Sequence, residues 1–424
     1  IGMVLAGGRV AELAALTLAR PKAAVPFGGQ YRIIDFALSN LMRADFERVG
    51  VLSLYRSSSL IDHLGVGAPW DMNGRGRGLK ILPPFTDHAG STWYRGTADA
   101  VFQNLAYLRR YAPRDVMVLS GDHIYSMDFR PMIEQHRATD ADLTMAVTQV
   151  DPDQGAGRFG FAEVDGDMRV RGYEEKPAQP ASPWASLTIY LFKAKALEAR
   201  VEENARTGKS LQLYDEVLPA MVAEDRVYAY AHEGYWHSIR SVDTYHQAHM
   251  DLLGADPAIE LEGWGVRSRA WLRGLGDQPP CRLGQGAKVS DSVLSPGCTV
   301  AGQVERSVLS PGVVVEAGAV VRDSVLLHDV RVQAGAELDR VILDKGVQVG
   351  AGAKLGCGKV EGANEHVHEA LVSGVSLIGK GSVVPDGMEV GRNCVVEPEV
   401  DRSAWPEAGL SSGKCLGPCR GGQS

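Results

Sequence analysis

Four apolar runs of strand length punctuate the first 250 residues: IGMVLAGG (1–8), RVGVLSLY (48–55), DVMVLSGD (115–122) and ADLTMAVTQV (141–150). Between them the period changes. In TADAVFQNLAYLRRY (97–111) Val101, Leu105 and Leu108 recur at i, i+4 and i+7, the spacing of one face of a helix. Strands alternating with helices predict an α/β domain around a mostly parallel sheet with helices on both faces. In such sheets a ligand sits at the carboxyl ends of the strands. The loops after Leu5 and after Ser120 are therefore the places to look.

From about residue 283 the pattern is different. Aliphatic residues recur at Leu309, Val315, Val321, Leu326, Val332, Leu338, Leu343, Val349 and Leu355, in steps of five or six, with glycines between them. A hexapeptide period with one aliphatic side chain inward and glycine at the corners predicts a parallel β-helix, because no single turn can bury its own face. The stretch 254–282, rich in Gly, Pro and Trp, reads as a packed linker. The expected organisation is a domain over 1–253, a linker over 254–282, a β-helix over 283–405 and a tail over 406–424.

Composition narrows the partners. The 424 residues are 45% hydrophobic and 23% charged, which suits a globular chain with buried cores. A net charge of −8 without a block of Lys or Arg leaves no electrostatic footprint for nucleic acid. No apolar run approaches the ~18 residues needed to span a bilayer, so no membrane partner and a cytoplasmic location are expected. The six cysteines lie in the C-terminal third without CxxC spacing and read as reduced thiols. Cys415 and Cys419, in CLGPC, offer metal-ligand chemistry but are expected in a frayed tail. His366 and His368, in NEHVHE, are read as residues of a polar loop. The chain opens on Ile1, already inside a strand, so its N-terminus is expected to lie upstream.

Four short motifs carry possible chemistry. LAGG (5–8) after a strand fits a phosphate-binding turn or an ordinary tight turn. GTADAV (96–101) puts a hydroxyl and small residues at a helix start, suited either to an anion or to a simple Thr cap. LSGDHIY (119–125) ends a buried strand on Asp122, a natural Mg²⁺ ligand beside phosphates or a turn-capping carboxylate. EEKP (174–177) offers Lys176 as a point charge for a sugar phosphate.

Together with PFGGQYRIIDFALSN (26–40), WYRGTADAVFQNL (93–105) and GYW…DTYHQAHMDLL (234–253), in this order and followed by a β-helix, these motifs resemble ADP-glucose pyrophosphorylase, the glucose-1-phosphate adenylyltransferase family. The resemblance covers essentially the whole chain. It implies a Rossmann-like nucleotidyltransferase domain followed by a left-handed parallel β-helix, and a tetramer that makes ADP-glucose and pyrophosphate from ATP and glucose 1-phosphate for glycogen or starch biosynthesis. Mg²⁺ as cofactor and allosteric regulation by metabolite effectors belong to the same implication. Carried over by position, Leu5, Gly7, Gly8, Gly96 and Thr97 would bind nucleotide, and Asp122 would bind metal and act in catalysis. Glu175, Lys176, Ser186 and Trp236 would hold the sugar phosphate, and Lys22, the signature lysine of the N-terminal loop, would act in catalysis with Asp122.

The departures concern charge. The family opening GGxGxRLxPLT is here GGRVAELAALT, so Val10 replaces a glycine, Glu12 an arginine that faces the triphosphate and Ala15 a proline. Ser238 stands for a second metal-binding aspartate, Thr188 for a glycine, Gln212 for a sugar-binding aspartate and Asp215 for a lysine. Losing an arginine near a triphosphate removes ~4 kcal/mol of attraction at about 4 Å and an effective dielectric near 20, and a glutamate adds repulsion. Each ~1.4 kcal/mol is tenfold in rate. Val10 is further expected to resist the positive φ or the close backbone approach that a glycine permits. The reading is a weakly active or non-catalytic regulatory subunit, in a homo- or hetero-tetramer with an active paralogue; the alternative is a fully active adenylyltransferase that tolerates the changes. A hexapeptide acyltransferase using His328 is a third reading from a different chemistry.

Overall fold

The computed structural model describes residues 1–8, 10–84, 86–87, 90–91, 93–269 and 278–417. They group into two compact units: Ile1–Gly8, Phe36–Ser57 and Leu64–Trp236 make the first, and Arg9–Asp35, Ser58–His63 and His237–Ser424 the second. The N-terminal segment 9–35 thus belongs with the unit that holds the β-helix.

The first unit is built on a sheet of nine strands: β1 (Gly2–Leu5), β2 (Arg48–Leu52), β3 (Gly78–Leu82), β4 (Asp115–Ser120), β5 (Leu143–Gln149), β6 (Gly160–Val164), β7 (Val170–Glu175), β8 (Trp184–Lys193) and β9 (Val227–Ala231). Its order is β7-β6-β8-β4-β1-β2-β3, with β5 placed against β8 and β9. The segment β4-β1-β2-β3 is parallel, and β8 joins β4 antiparallel. The apolar runs of β1 and β4 are buried in a sheet covered on both faces, which is why they do not alternate with polar residues. Register places Leu5 opposite both Leu52 and Ser120, so the loops after β1, β2 and β4 leave from one edge.

The predicted single helix at 97–111 is two, α1 (Thr97–Gln103) and α2 (Leu105–Tyr111). Asn104 divides them: its side-chain amide donates to the Ala100 carbonyl and to the Tyr94 hydroxyl, both at 2.8 Å, and draws the turn out of helical register. A longer helix, α3 (Ala194–Thr207), turns Leu197 and Val201 into the same core.

In the second unit the chain enters α4 (Val242–Met250), capped by a reciprocal Ser241–Thr244 box, and then winds into a left-handed β-helix of three parallel sheets. Coils repeat every 17 residues through the regular part. Inward ladders follow: Val300, Val315, Val332, Val349 and Val384 stack in one sheet, and Leu309, Leu326, Leu343, Ile378 and Val396 in another, all fully buried. Between Lys354–Leu355 and Ser376–Ile378 the chain makes an excursion about one coil long. The stack continues to Cys415–Leu416, which pairs with Val395–Val396. Cys415 therefore lies in the last coil and not in a frayed tail from 406 onward, while Cys419 lies outside the described residues.

Candidate functional site

The strand tips of the first unit carry the expected groups. Ala6 N–H donates to Leu52 O at 2.9 Å and Gly121 N–H to Leu5 O at 2.9 Å, which ties the turns after β1 and β4 to the sheet edge. The space beside Gly8 is open, whereas Gly7 is packed against Leu54. Asp122, at the tip of β4, accepts from the Ser120 hydroxyl and lies 3.4 Å from His123 Nε2. His123 Nδ1 in turn accepts the Trp236 indole N–H at 3.3 Å. Those contacts assign the proton of His123 to Nε2, facing Asp122. His123 is a member of the site that the sequence reading passed over, although it stands next to Asp122 in LSGDHIY.

Around α1 the chain satisfies itself. Gln212 Oε1 accepts from the Thr97 N–H at 2.9 Å and from its hydroxyl at 3.1 Å, and Leu213 N–H donates to Thr97 Oγ1 at 2.8 Å. Ala98 N–H donates to Leu211 O at 2.9 Å. Gly96 is fully extended, so its identity has nothing to do with positive φ. A Cβ there would collide with the Leu211 carbonyl, and the close approach of that segment is what demands glycine.

Of the residues expected to hold the sugar phosphate, Glu175 ends β7, Lys176 follows it and Ser186 lies on β8. Glu175 accepts the Tyr173 hydroxyl at 2.8 Å, and burial next to Glu175 and Tyr190 pushes the Tyr173 phenol up, so it stays a donor. Lys176 follows in the left-handed region at φ 48°, half exposed, with Nζ 4.0 Å from Glu175 Oε1. Ser186 is buried and shares a hydrogen bond of 3.1 Å with Tyr190, whose phenol burial raises to about 12. Thr188 has φ 55°, and register between β5 and β8 slips at this point. A β-branched residue thus occupies a glycine-type conformation. Trp236 packs edge-on against His123 and Phe159, with centroids 5.2 and 5.3 Å apart.

Val10, Glu12, Lys22 and Ser238 fall in the second unit. The positive φ expected at Val10 is not found: its backbone is extended at φ −120°, ψ 113°, a conformation that suits a β-branched residue. The positive φ of this loop is carried by Ala14, at 45°. Glu12 is exposed in a 3₁₀ turn over Ala11–Leu13, Lys22 is buried at the start of another over Lys22–Ala24, and Ser238 is half-buried at the end of the strand Trp236–Ser238. As for Mg²⁺, Asp122 offers one carboxylate. Among the described residues, no group of three or more metal-ligand side chains includes it.

The second unit also contains a buried basic cluster that the sequence reading did not assemble. Arg20 Nη2 pairs with Asp344 Oδ2 at 2.6 Å, with both side chains buried. Asp35 accepts the Arg32 N–H at 2.8 Å and meets His63 Nε2 at 2.5 Å. His328 and Lys345 lie in the field of Arg20 and Arg32, and burial first, then those cations, holds both well below their ordinary pKa values. Desolvation likewise lowers Arg32, to about 10. The visible signal was Arg20 and Arg32 flanking Lys22. Asp344 and Lys345 lie more than 300 residues away, and only the folded coils bring them in.

Known proteins corroborate this architecture. The nucleotidyl transferase family matches residues 1–254, and a GlmU-like, C-terminal hexapeptide family matches residues 281–378. The chain is 44% identical over 421 residues to a glucose-1-phosphate adenylyltransferase of Thermomicrobium roseum, an alignment covering 98% of this chain and 97% of that one. It is 34% identical over 428 residues to the Acetivibrio thermocellus protein of the same name, covering 100% and 98%. It is 42% identical over 326 residues to that of Geobacillus stearothermophilus, covering 76% and 83%. A nucleotidyl transferase match over residues 1–254, a left-handed β-helix after it, and 44% and 34% identity to two of these enzymes over nearly the whole chain place it in the glucose-1-phosphate adenylyltransferase family.

Proposed function

We propose that this protein binds the substrates of its family, ATP or ADP-glucose and glucose 1-phosphate, but turns them over weakly or not at all, and serves as a regulatory subunit beside an active paralogue. The observation that carries this reading is the Gln212 contact. The two donors that the family would point at a nucleotide, the Thr97 N–H and hydroxyl, are taken by the chain's own side chain. A ligand must break those bonds before it gains its own, at a cost of about 1 kcal/mol each. Glu12 and Ser238 add to this by withholding a cation and a second carboxylate. Mg²⁺ would be held by Asp122 together with substrate phosphates, a mode open to a small octahedral ion that keeps several waters. The buried basic cluster of Arg20, Arg32, His63, His328 and Lys345 supports a second part of the proposal, that anionic metabolites act as effectors on this chain.

The test is restoration. Glu12→Arg with Ser238→Asp returns a bidentate donor and a metal carboxylate, and should raise ADP-glucose synthesis by at least about two decades, the ~3 kcal/mol scale of a lost electrostatic contact at a reacting centre. Ordinary family rates in the unaltered chain measured alone would refute weak catalysis, and a mixture with its paralogue that behaves as the paralogue alone would refute the regulatory role. An inert double variant that still binds ATP would refute the cause assigned to it.

A further inference from the structure

Two motifs set aside in the sequence, NEHVHE and the cysteine of KCLG, meet in the fold. Glu365, His366 and Cys415 present a carboxylate oxygen, an imidazole nitrogen and a thiol sulfur that all lie within 4.8 Å of one another. The backbone around them is pinned. Asn364 is fully buried and donates through its amide to Asn393 O at 2.8 Å and Gly413 O at 3.3 Å, while its Oδ1 accepts the N–H groups of His366 and Val367 at 3.0 and 3.2 Å. Glu365 N–H donates to Gly413 O at 2.9 Å. Glu365 and His366 therefore ride on the excursion from the β-helix and Cys415 on its last coil.

We propose that Glu365, His366 and Cys415 form a binding site for a borderline-soft divalent ion of the Zn²⁺ class, with water completing the tetrahedron. Thiolate with imidazole selects against Mg²⁺ and Ca²⁺, which take oxygen ligands, and three protein ligands with one open position are a recurrent zinc arrangement. Bonds of roughly 2.0–2.3 Å require donor atoms about 3–4 Å apart. Binding must draw the donors together from a spread of up to 4.8 Å, and the His366 and Glu365 side chains are more than a third exposed. Orientation is already supplied: Glu365 Oε1 accepts the Cys415 N–H at 2.8 Å and Oε2 the Lys414 ammonium at 2.9 Å. Outer contacts of this type fix a ligating carboxylate, and here they hold it ionised below the usual range. Binding exchanges the Cys415 thiol proton for the metal–sulfur bond and releases that proton to solvent, with no change of oxidation state. The role is structural, a clip between the excursion and the terminal coil.

The full chain, free of added histidines and stripped of metal, is titrated with Co²⁺ and then Zn²⁺. One equivalent should bind with a thiolate-to-cobalt charge-transfer band. Cys415→Ser should abolish that band, and His366→Ala should weaken binding by at least ~10-fold. Zn²⁺ should raise the melting temperature of the unaltered chain and of Cys357→Ser, but not of Cys415→Ser. If Cys415→Ser does not fold, the exposed His366→Ala carries the same comparison. Absence of the band, or a band and midpoint shift that survive both Cys415→Ser and His366→Ala, overturns the site.

Discussion

Gln212 occupies the polar hydrogens of Thr97, and under the proposed function that occupancy weakens ligand binding. Its carbonyl oxygen takes both polar hydrogens of Thr97, so Gln212→Ala should leave them to a ligand and tighten ADP binding by up to about tenfold in calorimetry, the ~1.4 kcal/mol scale of one or two net hydrogen bonds. Unchanged affinity would show that these donors are not part of the pocket. Asp344 poses the opposite case, a buried charge whose removal strands another. Arg20 already has one terminal nitrogen, Nη1, that makes no hydrogen bond, and Asp344→Asn would take away the carboxylate on its other. Unfolding in urea should reveal a loss of about 3–5 kcal/mol, the cost of breaking a buried pair from one side.

At the scale of elements, the helices hold histidines in the neutral form. On α4, His249 Nδ1 donates to the Tyr245 carbonyl at 2.9 Å and Nε2 accepts the Gly28 N–H at 3.2 Å, so both nitrogens are committed, and burial drives its pKa down to about 3. In the first unit His136 bonds Thr144 at 2.8 Å, and burial lowers it to about 4 despite Asp115. Below pH ~6.5 the unfolded chain takes up protons that the folded chain refuses, so stability falls with falling pH until the folded values are reached. Between pH 7 and 5 each histidine should withdraw about 2 kcal/mol. Urea midpoints at the two pH values should shift accordingly, and His136→Gln should remove its share of the shift. A pH-independent midpoint in the unaltered chain would contradict the buried, neutral assignment.

For the whole molecule, the grouping of residues 9–35 and 58–63 with the β-helix unit bears on truncation. A chain ending after residue 253 keeps Arg20, Leu16, Val25 and Phe27 but loses most of the unit to which they belong, including Asp344. It should therefore aggregate, or run as a monomer in light scattering, the outcome expected if the β-helix unit carries the assembly contacts. A soluble truncated tetramer would assign assembly to the first unit instead.

The sequence by itself determined the elements and their order. Strand-length apolar runs, a hexapeptide period and glycine corners are local signals, because each residue's burial in a coil or strand is set by neighbours a fixed few positions away. Candidate chemistry at Asp122 and the GTAD turn was legible for the same reason: both stand at strand and helix ends. What only the tertiary structure decided depends on contacts across long stretches of chain. Thr97 meets Gln212, Arg20 meets Asp344 and Glu365 meets Cys415 across 115, 324 and 50 positions. The backbone of Val10 belongs to the same class: a family pattern called for glycine, yet the folded loop places its positive φ at Ala14 and leaves Val10 extended. Local periodicity carries no information about which distant loop arrives, so the partners of these groups, and with them the state of the site, are fixed only once the sheet and the coils have closed.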